Sequence, residues 1–227
     1  MLKANDELRL CADAHETEVN TNDSYSIKPL LARDPNIEYV VDIGANVGAF
    51  STYLQSLLPN AKIIACEPEE MMMVYVRLNT SDKLIYVQKA IIGDPNLKEV
   101  NFSICKWQGN HHVEGRFRMD TYAPVGSQIL SSRVVPATTL MQVVEENGFP
   151  RIDLLKIDTE GSEPEILESI KPWMENIRHI VGEWHSQDDL ARIKAVLAET
   201  HDTTFVDGAF KELNGAIANG EFTAELK

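Results

Sequence analysis

A glycine turn follows a short apolar strand in Val40-Val41-Asp42-Ile43-Gly44-Ala45-Asn46-Val47-Gly48, and an acid, Glu67, closes the next apolar run. Gly44 and Gly48 permit backbone to approach a ligand closely, and the free N–H groups of a following helix favour electronegative atoms. An acid about twenty residues beyond the turn stands where it can reach a ribose hydroxyl pair. This spacing describes a nucleoside pocket, with Ala45 and Asn46 inside the turn and Pro68 just after the acid. A dinucleotide site needs G-x-G-x-x-G and a phosphate loop needs a Gly-Lys-Ser/Thr ending; the turn here, G-A-N-V-G, has neither. Asp42 repels a pyrophosphate and attracts the ammonium of an amino acid. A molecule with adenosine at one end and a zwitterionic amino acid at the other suits both acids, and S-adenosylmethionine is that molecule. A packing-only βα turn is the bland alternative, and the acid after the second strand is independent evidence against it.

Two further clusters could carry chemistry. Ile152-Asp153-Leu154-Leu155-Lys156-Ile157-Asp158-Thr159-Glu160-Gly161-Ser162-Glu163 crowds acids onto the end of a buried strand, where open α/β sheets place their ligand crevice. Asp158 sits at the strand tip, while Glu160 and Glu163 also suit the first turn of a helix starting near Pro164. Val181-Gly182-Glu183-Trp184-His185 puts a carboxylate and an imidazole above the same sheet edge. His185 is the preferred general base, because an unperturbed imidazole titrates near neutrality, with Asp158 as the alternative or the orienting group and Glu183 beside them. Asp158, Glu183 and His185 holding a divalent ion is a secondary reading, since spacing alone fixes no ligand triad, and no metal is expected. His111-His112 reads as an exposed loop that at most lines a lid. In Met71-Met72-Met73 one or two side chains face a core. Cys11, Cys66 and Cys105 are odd in number and lack CxxC spacing, which argues against disulfides and a thiolate zinc site, and Cys66 reads as a small buried hydrophobe.

The elements that must position these groups follow from the apolar pattern. Strands are expected at Tyr39 to Ile43, Lys62 to Cys66, Leu84 to Val87, Ile152 to Ile157, Ile177 to Val181 and Thr203 to Val206. Lys211 to Ala218 is expected as the last strand, closing a hairpin through Asp207-Gly208. Helices are expected at Phe50 to Leu58, Glu69 to Asn79, Leu140 to Glu146, Pro164 to Ile170 and Gln187 to Glu199. Short, nearly continuous apolar strands separated by helices indicate a parallel sheet covered on both faces. The expected organisation is an N-terminal segment, 1–37, packed on a single domain, 38–227, with a hairpin-rich insertion at about 93–136.

Composition narrows the partners. Twenty-one Lys and Arg stand against 35 Asp and Glu, a formal charge of −14, so nucleic acid and anionic membrane surfaces are not expected. The N-terminus has no uninterrupted apolar core and no stretch is long enough for a membrane span, which with the cysteines suggests the cytoplasm. A homo-oligomer is left open.

Taken in order, V-V-D-I-G-A-N-V-G-A-F-S, A-C-E-P, D-L-L-K-I-D-T-E-G-S-E-P-E-I-L and G-E-W-H resemble the FkbM-type S-adenosylmethionine-dependent methyltransferase family over about Tyr39 to His185. The resemblance implies a class I, Rossmann-like, seven-stranded α/β sheet with an antiparallel last strand. It implies that Asp42, Gly44, Asn46 and Gly48 form the methionine-side pocket, that Glu67 holds the ribose and that Gln88 to Ala90 border the adenine. Asp158, Glu160, Glu163, Glu183 and His185 then lie near the transfer site, and the implied reaction is O-methylation of a small molecule or glycan. Where the family often has T-L-D, this chain has Thr139-Leu140-Met141, which puts a helix cap or substrate contact there in question. A nicotinamide-dependent oxidoreductase and a non-catalytic cofactor-binding protein are the rival readings.

Overall fold

The computed structural model describes residues 9–106, 110–116, 128–208 and 219–227. Its larger sheet has seven strands, β1 (Tyr39–Ile43), β2 (Lys62–Cys66), β3 (Ile85–Val87), β8 (Ile152–Ile157), β9 (Ile177–Trp184), β10 (His201–Asp207) and β11 (Gly220–Leu226), in the order β10-β11-β9-β8-β1-β2-β3. β11 runs antiparallel to both its neighbours, whereas β8, β9, β1, β2 and β3 pair in parallel. The smaller sheet, β4 (Ala90–Ile91), β5 (Glu99–Cys105), β6 (His112–Val113) and β7 (Ile129–Thr138), has the order β4-β7-β5-β6. Its strands β5, β6 and β7 fall largely within residues 93–136, and β5 pairs antiparallel with both β6 and β7.

Strand alternation explains why the central strands are apolar on both faces apart from the buried Asp42, Asp153 and Lys156. Val41 and Ile43 of β1 and Leu155 and Ile157 of β8 point into one core, while Val40 and Leu154 point into the other. α5 (Leu140–Glu146), α6 (Glu163–Ser169) and α7 (Gln187–Leu197) cover the first face. α1 (Arg9–Asn20), α2 (Ile27–Arg33), α3 (Ala49–Leu57) and α4 (Glu70–Asn79) cover the second, with Tyr25, Ile27 and Leu30 of the N-terminal segment buried in it. Met72 and Met73 belong to that core and Met71 is exposed, as helical geometry requires.

Two local details differ from expectation or resolve a question. The hairpin partner of β10 is Gly220–Leu226, paired from His201↔Leu226 to Asp207↔Gly220, so a longer connection replaces the tight Asp207-Gly208 turn. The expected Lys211 to Ala218 strand lies outside the described residues. The missing acid after Thr139-Leu140 leaves the start of α5 intact. The Thr139 hydroxyl accepts the Gln142 N–H, and the Gln142 side chain accepts the Thr139 N–H, a complete capping box.

Candidate active site

The C-terminal ends of β1, β2, β8 and β9 open on one cavity of about 400 Å³, within the range of small-molecule pockets. Glu67, Pro68 and Ala90 line one part of it; Asp158, Glu183 and His185 line another. The chain leaves β1 through Gly44, which has φ +78°, and a Cβ there would lie 1.8 Å from the Asp158 carbonyl oxygen. Only glycine lets the turn cross the end of β8 so closely. Asn46, also left-handed at φ +49°, donates its N–H to Glu67 Oε2 at 3.0 Å, and the Glu69 N–H reaches Oε1 at 2.9 Å. These donors orient Glu67 at the cavity wall. Burial nevertheless pushes its pKa up to about 8, because desolvation outweighs the two hydrogen bonds.

Beneath the turn lies a charge arrangement that sequence reading missed. Lys156 is 4% exposed and is the Cα partner of Asp42 across the β1–β8 ladder. Its ammonium donates to the carbonyls of Gly44 at 2.7 Å and Ile43 at 3.3 Å, and lies 3.5 Å from Asp42 Oδ1 and 3.4 Å from Asp158 Oδ2. Burial alone would depress the lysine pKa, but Asp158 and Asp42 hold it above its ordinary value. Asp42 is itself fully buried and accepts from Ser51 Oγ at 2.7 Å. Asp42 is not among the residues that line the cavity; in place of the expected ammonium contact, this carboxylate faces and helps to balance Lys156.

His185 sits among carboxylates. Its Nε2 is 3.5 Å from Glu163 Oε1 and 3.8 Å from Asp158 Oδ1, and its Nδ1 is 3.7 Å from Glu160 Oε2. Burial would lower the imidazole pKa, but Glu160 and Glu163 outweigh it and raise the pKa well above the usual value. These neighbours favour the imidazolium form of the ring over the free base. Asp158 has the reverse balance: burial raises its pKa, yet Lys156 and His185 bring it below the ordinary carboxylate value. Glu160, left-handed at φ +59°, is pushed up to about 8, and Glu183 well above its usual value, in both cases first by burial.

The N-terminal segment completes this wall. Tyr25 Oη lies 3.3 Å from both Asp158 Oδ2 and Glu183 Oε1, and its ring packs edge-on to Phe50. Tyr25 has φ +67° between left-handed Asp23 and Ser26, a conformation costing about 1–2 kcal/mol per non-glycine residue. His15 and Glu18 of α1 also line the cavity. No local motif marks Tyr25, because the acids its hydroxyl meets lie more than a hundred positions away. Lys156 did carry a signal: a lysine inside a fully buried strand needs a carboxylate partner.

Other expected positions divide. Gly44, Ala45, Asn46, Pro68 and Ala90 line the cavity, whereas Gln88 is exposed where the chain leaves edge strand β3 and its neighbour Lys89 lines the cavity instead. Gly48 does not line it. With φ +85° and its Cβ position 3.1 Å from Val76 Cα, it serves the approach of α3 to α4. His111 and His112 are not an exposed loop: His112 is 2% exposed, and His111 lines the cavity with Phe102 and Val113 of the smaller sheet. Cys66 is a buried free thiol whose pKa burial raises, as befits a packing residue.

The seven-stranded order, with β11 antiparallel to both its neighbours, is that of the class I methyltransferase fold. A family model described as a methyltransferase FkbM domain matches residues 42–213, and the chain belongs to that family. Methyltransferase sdnD of Sordaria araneosa is 29% identical over 214 residues, spanning 80% of this chain and 78% of that protein. The 31-O-demethyl-FK506 methyltransferase FkbM of Streptomyces tacrolimicus is 24% identical over 210 residues, spanning 82% and 73%. The N-terminal domain of human METTL16 in complex with SAH has a TM-score of 0.51 at 14% identity, covering 89% of this chain and 68% of that one, a likeness of fold. The protein is an S-adenosylmethionine-dependent methyltransferase, which displaces the nicotinamide reading. Among the described residues, no helix is long and apolar enough to cross a membrane.

Proposed function

We propose that the chain methylates a hydroxyl oxygen of a small-molecule or glycan acceptor, with Asp158 receiving the acceptor's O–H. The observation that carries this reading is the Asp158 carboxylate itself, which lines the cavity and is kept ionised by Lys156 and His185. The cavity fits the cofactor, because the close-approaching turn at Gly44 and the acid at Glu67 border the same space. When bound, S-adenosylmethionine supplies an electrophilic methyl group on a sulfonium. Gly44, Ala45, Asn46, Glu67, Pro68 and Ala90 would hold it; Asp158 would align the acceptor oxygen and take up its proton. His185, already protonated, orients Asp158 and balances the surrounding acids, so the role of base passes from His185 to Asp158. The family relationship to the named FK506 O-methyltransferase supports oxygen as the acceptor atom. The test is incubation with S-adenosylmethionine and a panel of hydroxylated small molecules and glycosides, followed by carbon NMR of the product. A methyl ether is expected; an N-methyl or C-methyl product refutes the reading.

Glu67 gives this site a pH signature. A carboxyl that keeps its proton to about pH 8 must lose it to accept fully from two ribose hydroxyls. Adenosyl ligand affinity should therefore rise with pH up to about 8, by at most about tenfold per unit. Calorimetry with S-adenosylhomocysteine at pH 6, 7 and 8 checks this, and Glu67→Gln should bind more weakly and without the trend. An equally tight, equally pH-dependent variant removes Glu67 from the ribose site.

One observation favours a second, metal-assisted reading: Asp158, Glu183 and His185 offer donor atoms all within 4.8 Å of one another. A divalent ion there would acidify the acceptor hydroxyl. The metal-free reading ranks first because Lys156 and protonated His185 already balance these acids. After exhaustive dialysis against EDTA, turnover is expected to fall less than about twofold. A loss restored by magnesium or manganese makes the second reading the correct one.

A further inference from the structure

We propose that Tyr25 is a positioning residue of the transfer site, whose phenol bridges Asp158 and Glu183, shares one proton between them and leaves Asp158 as the ionised partner. The inference rests on the reading above that Asp158 faces the acceptor. It concerns a residue outside the 42–213 family match, in a segment that carries no methyltransferase motif.

The geometry follows from counting protons. A phenol has one proton to donate, and its oxygen lies 3.3 Å from a carboxylate oxygen of each acid. With both acids ionised, one of these contacts would set oxygen lone pairs against each other. Both become hydrogen bonds when one acid keeps its proton: that acid donates to the phenol oxygen, and the phenol donates to the other. The choice of partner is set by the surroundings. Lys156 lies 3.4 Å from Asp158 Oδ2 and His185 lies 3.8 Å from Oδ1, so Asp158 carries the negative charge. Glu183 acts on Lys156 less strongly than Asp158 does, and burial first, then Asp158, Glu18 and Glu160, favour its neutral form against the opposing pull of His185. His15 of α1 adds a distant positive influence at Asp158, and Glu221 of β11 stands on the far side of Tyr25.

Tyr25 is built to stay in place. It is 3% exposed, its N–H donates to Glu221 Oε2 at 3.0 Å, and its ring lies 5.8 Å from Phe50 at 87°. Three left-handed residues, Asp23, Tyr25 and Ser26, bend the chain so that the phenol meets the strand-end acids. Strain of this kind persists where the surroundings over-determine it, and it clusters at functional sites.

The test needs no acceptor. In protein carrying carbon-13 at Asp and Glu side-chain carboxyls, the Asp158 and Glu183 signals, assigned with Asp158→Asn and Glu183→Gln, are followed against pH by NMR. The parent should show two well-separated ionisation steps for the pair. Tyr25→Phe keeps the ring but removes the donor to the charged acid and the acceptor for the neutral one. The lower step should rise and the upper step fall, closing the gap by about one pH unit. A gap that stays the same overturns the bridge. Should Tyr25→Phe not fold, 3-fluorotyrosine at position 25 decides the matter, since a stronger donor and weaker acceptor should lower both steps; unmoved steps again overturn the proposal. Failure of the underlying site reading looks different: calorimetry with S-adenosylhomocysteine shows no binding, or Asp158→Asn retains full turnover, whatever the NMR gap does.

Discussion

Replacing Lys156 by methionine is expected to cost the fold about 3–5 kcal/mol and to weaken S-adenosylhomocysteine binding at least tenfold. Methionine matches the length of the lysine stem, so packing changes little. What disappears is the ammonium that faces two carboxylates and two turn carbonyls, of Ile43 and Gly44. Asp42 is fully buried and its remaining direct partner is Ser51, so its charge would be left largely uncompensated. The Gly44 carbonyl would lose its donor at 2.7 Å, and with it the anchor that holds the glycine turn over β8. Urea denaturation measures the first effect and calorimetry the second. Lys156→Met combined with Asp42→Asn should recover a large part of the lost stability, because the second change removes the stranded charge. A single variant losing less than about 1 kcal/mol contradicts this account of the turn.

The same lysine shows how far the sequence could be read. Strands β1, β2 and β8 and helix α5 are legible to the residue, because apolar runs closed by Gly44, Pro68 or a Thr139 cap leave little freedom in where they stop. Glu67 is legible as a cavity acid because the βαβ unit fixes the span between turn and strand end. Asp42 and Gly48 belong to the same motif but serve the interior, one balancing Lys156 and the other bringing two helices together. A one-dimensional motif does not say which of its polar and small residues face the ligand. The last strand shows a related limit: Asp207-Gly208 is a strong local turn signal, whereas the register of β11 is decided by its pairing with β9 and β10 together. Tyr25 is the extreme case, since no local pattern distinguishes a tyrosine that reaches Asp158 and Glu183 from one in an ordinary core.

Asp158→Asn should lower turnover by about 10²- to 10⁴-fold, the usual worth of a positioned proton acceptor. The amide is nearly isosteric and can still accept from Tyr25, but it neither carries the charge that Lys156 and His185 stabilise nor takes up a proton. Its effect should therefore fall on kcat more than on the KM for S-adenosylmethionine. The pH profile separates this assignment from the one in which His185 is the base. Asp158 has its pKa lowered, so it is ionised throughout the neutral range, and with both substrates saturating kcat should stay level as pH falls from 7.5 to about 5. His185 has its pKa raised, so as a base it would become active only as pH climbed through that raised value, and kcat would fall steadily on acidification across the same range. His185→Gln supplies the complementary measurement. With Asp158 as base it should reduce turnover by less than the Asp158 change, because it removes an orienting cation and not the acceptor of the proton. A profile that declines tenfold per unit below neutrality and vanishes in His185→Gln would return the proton to the imidazole.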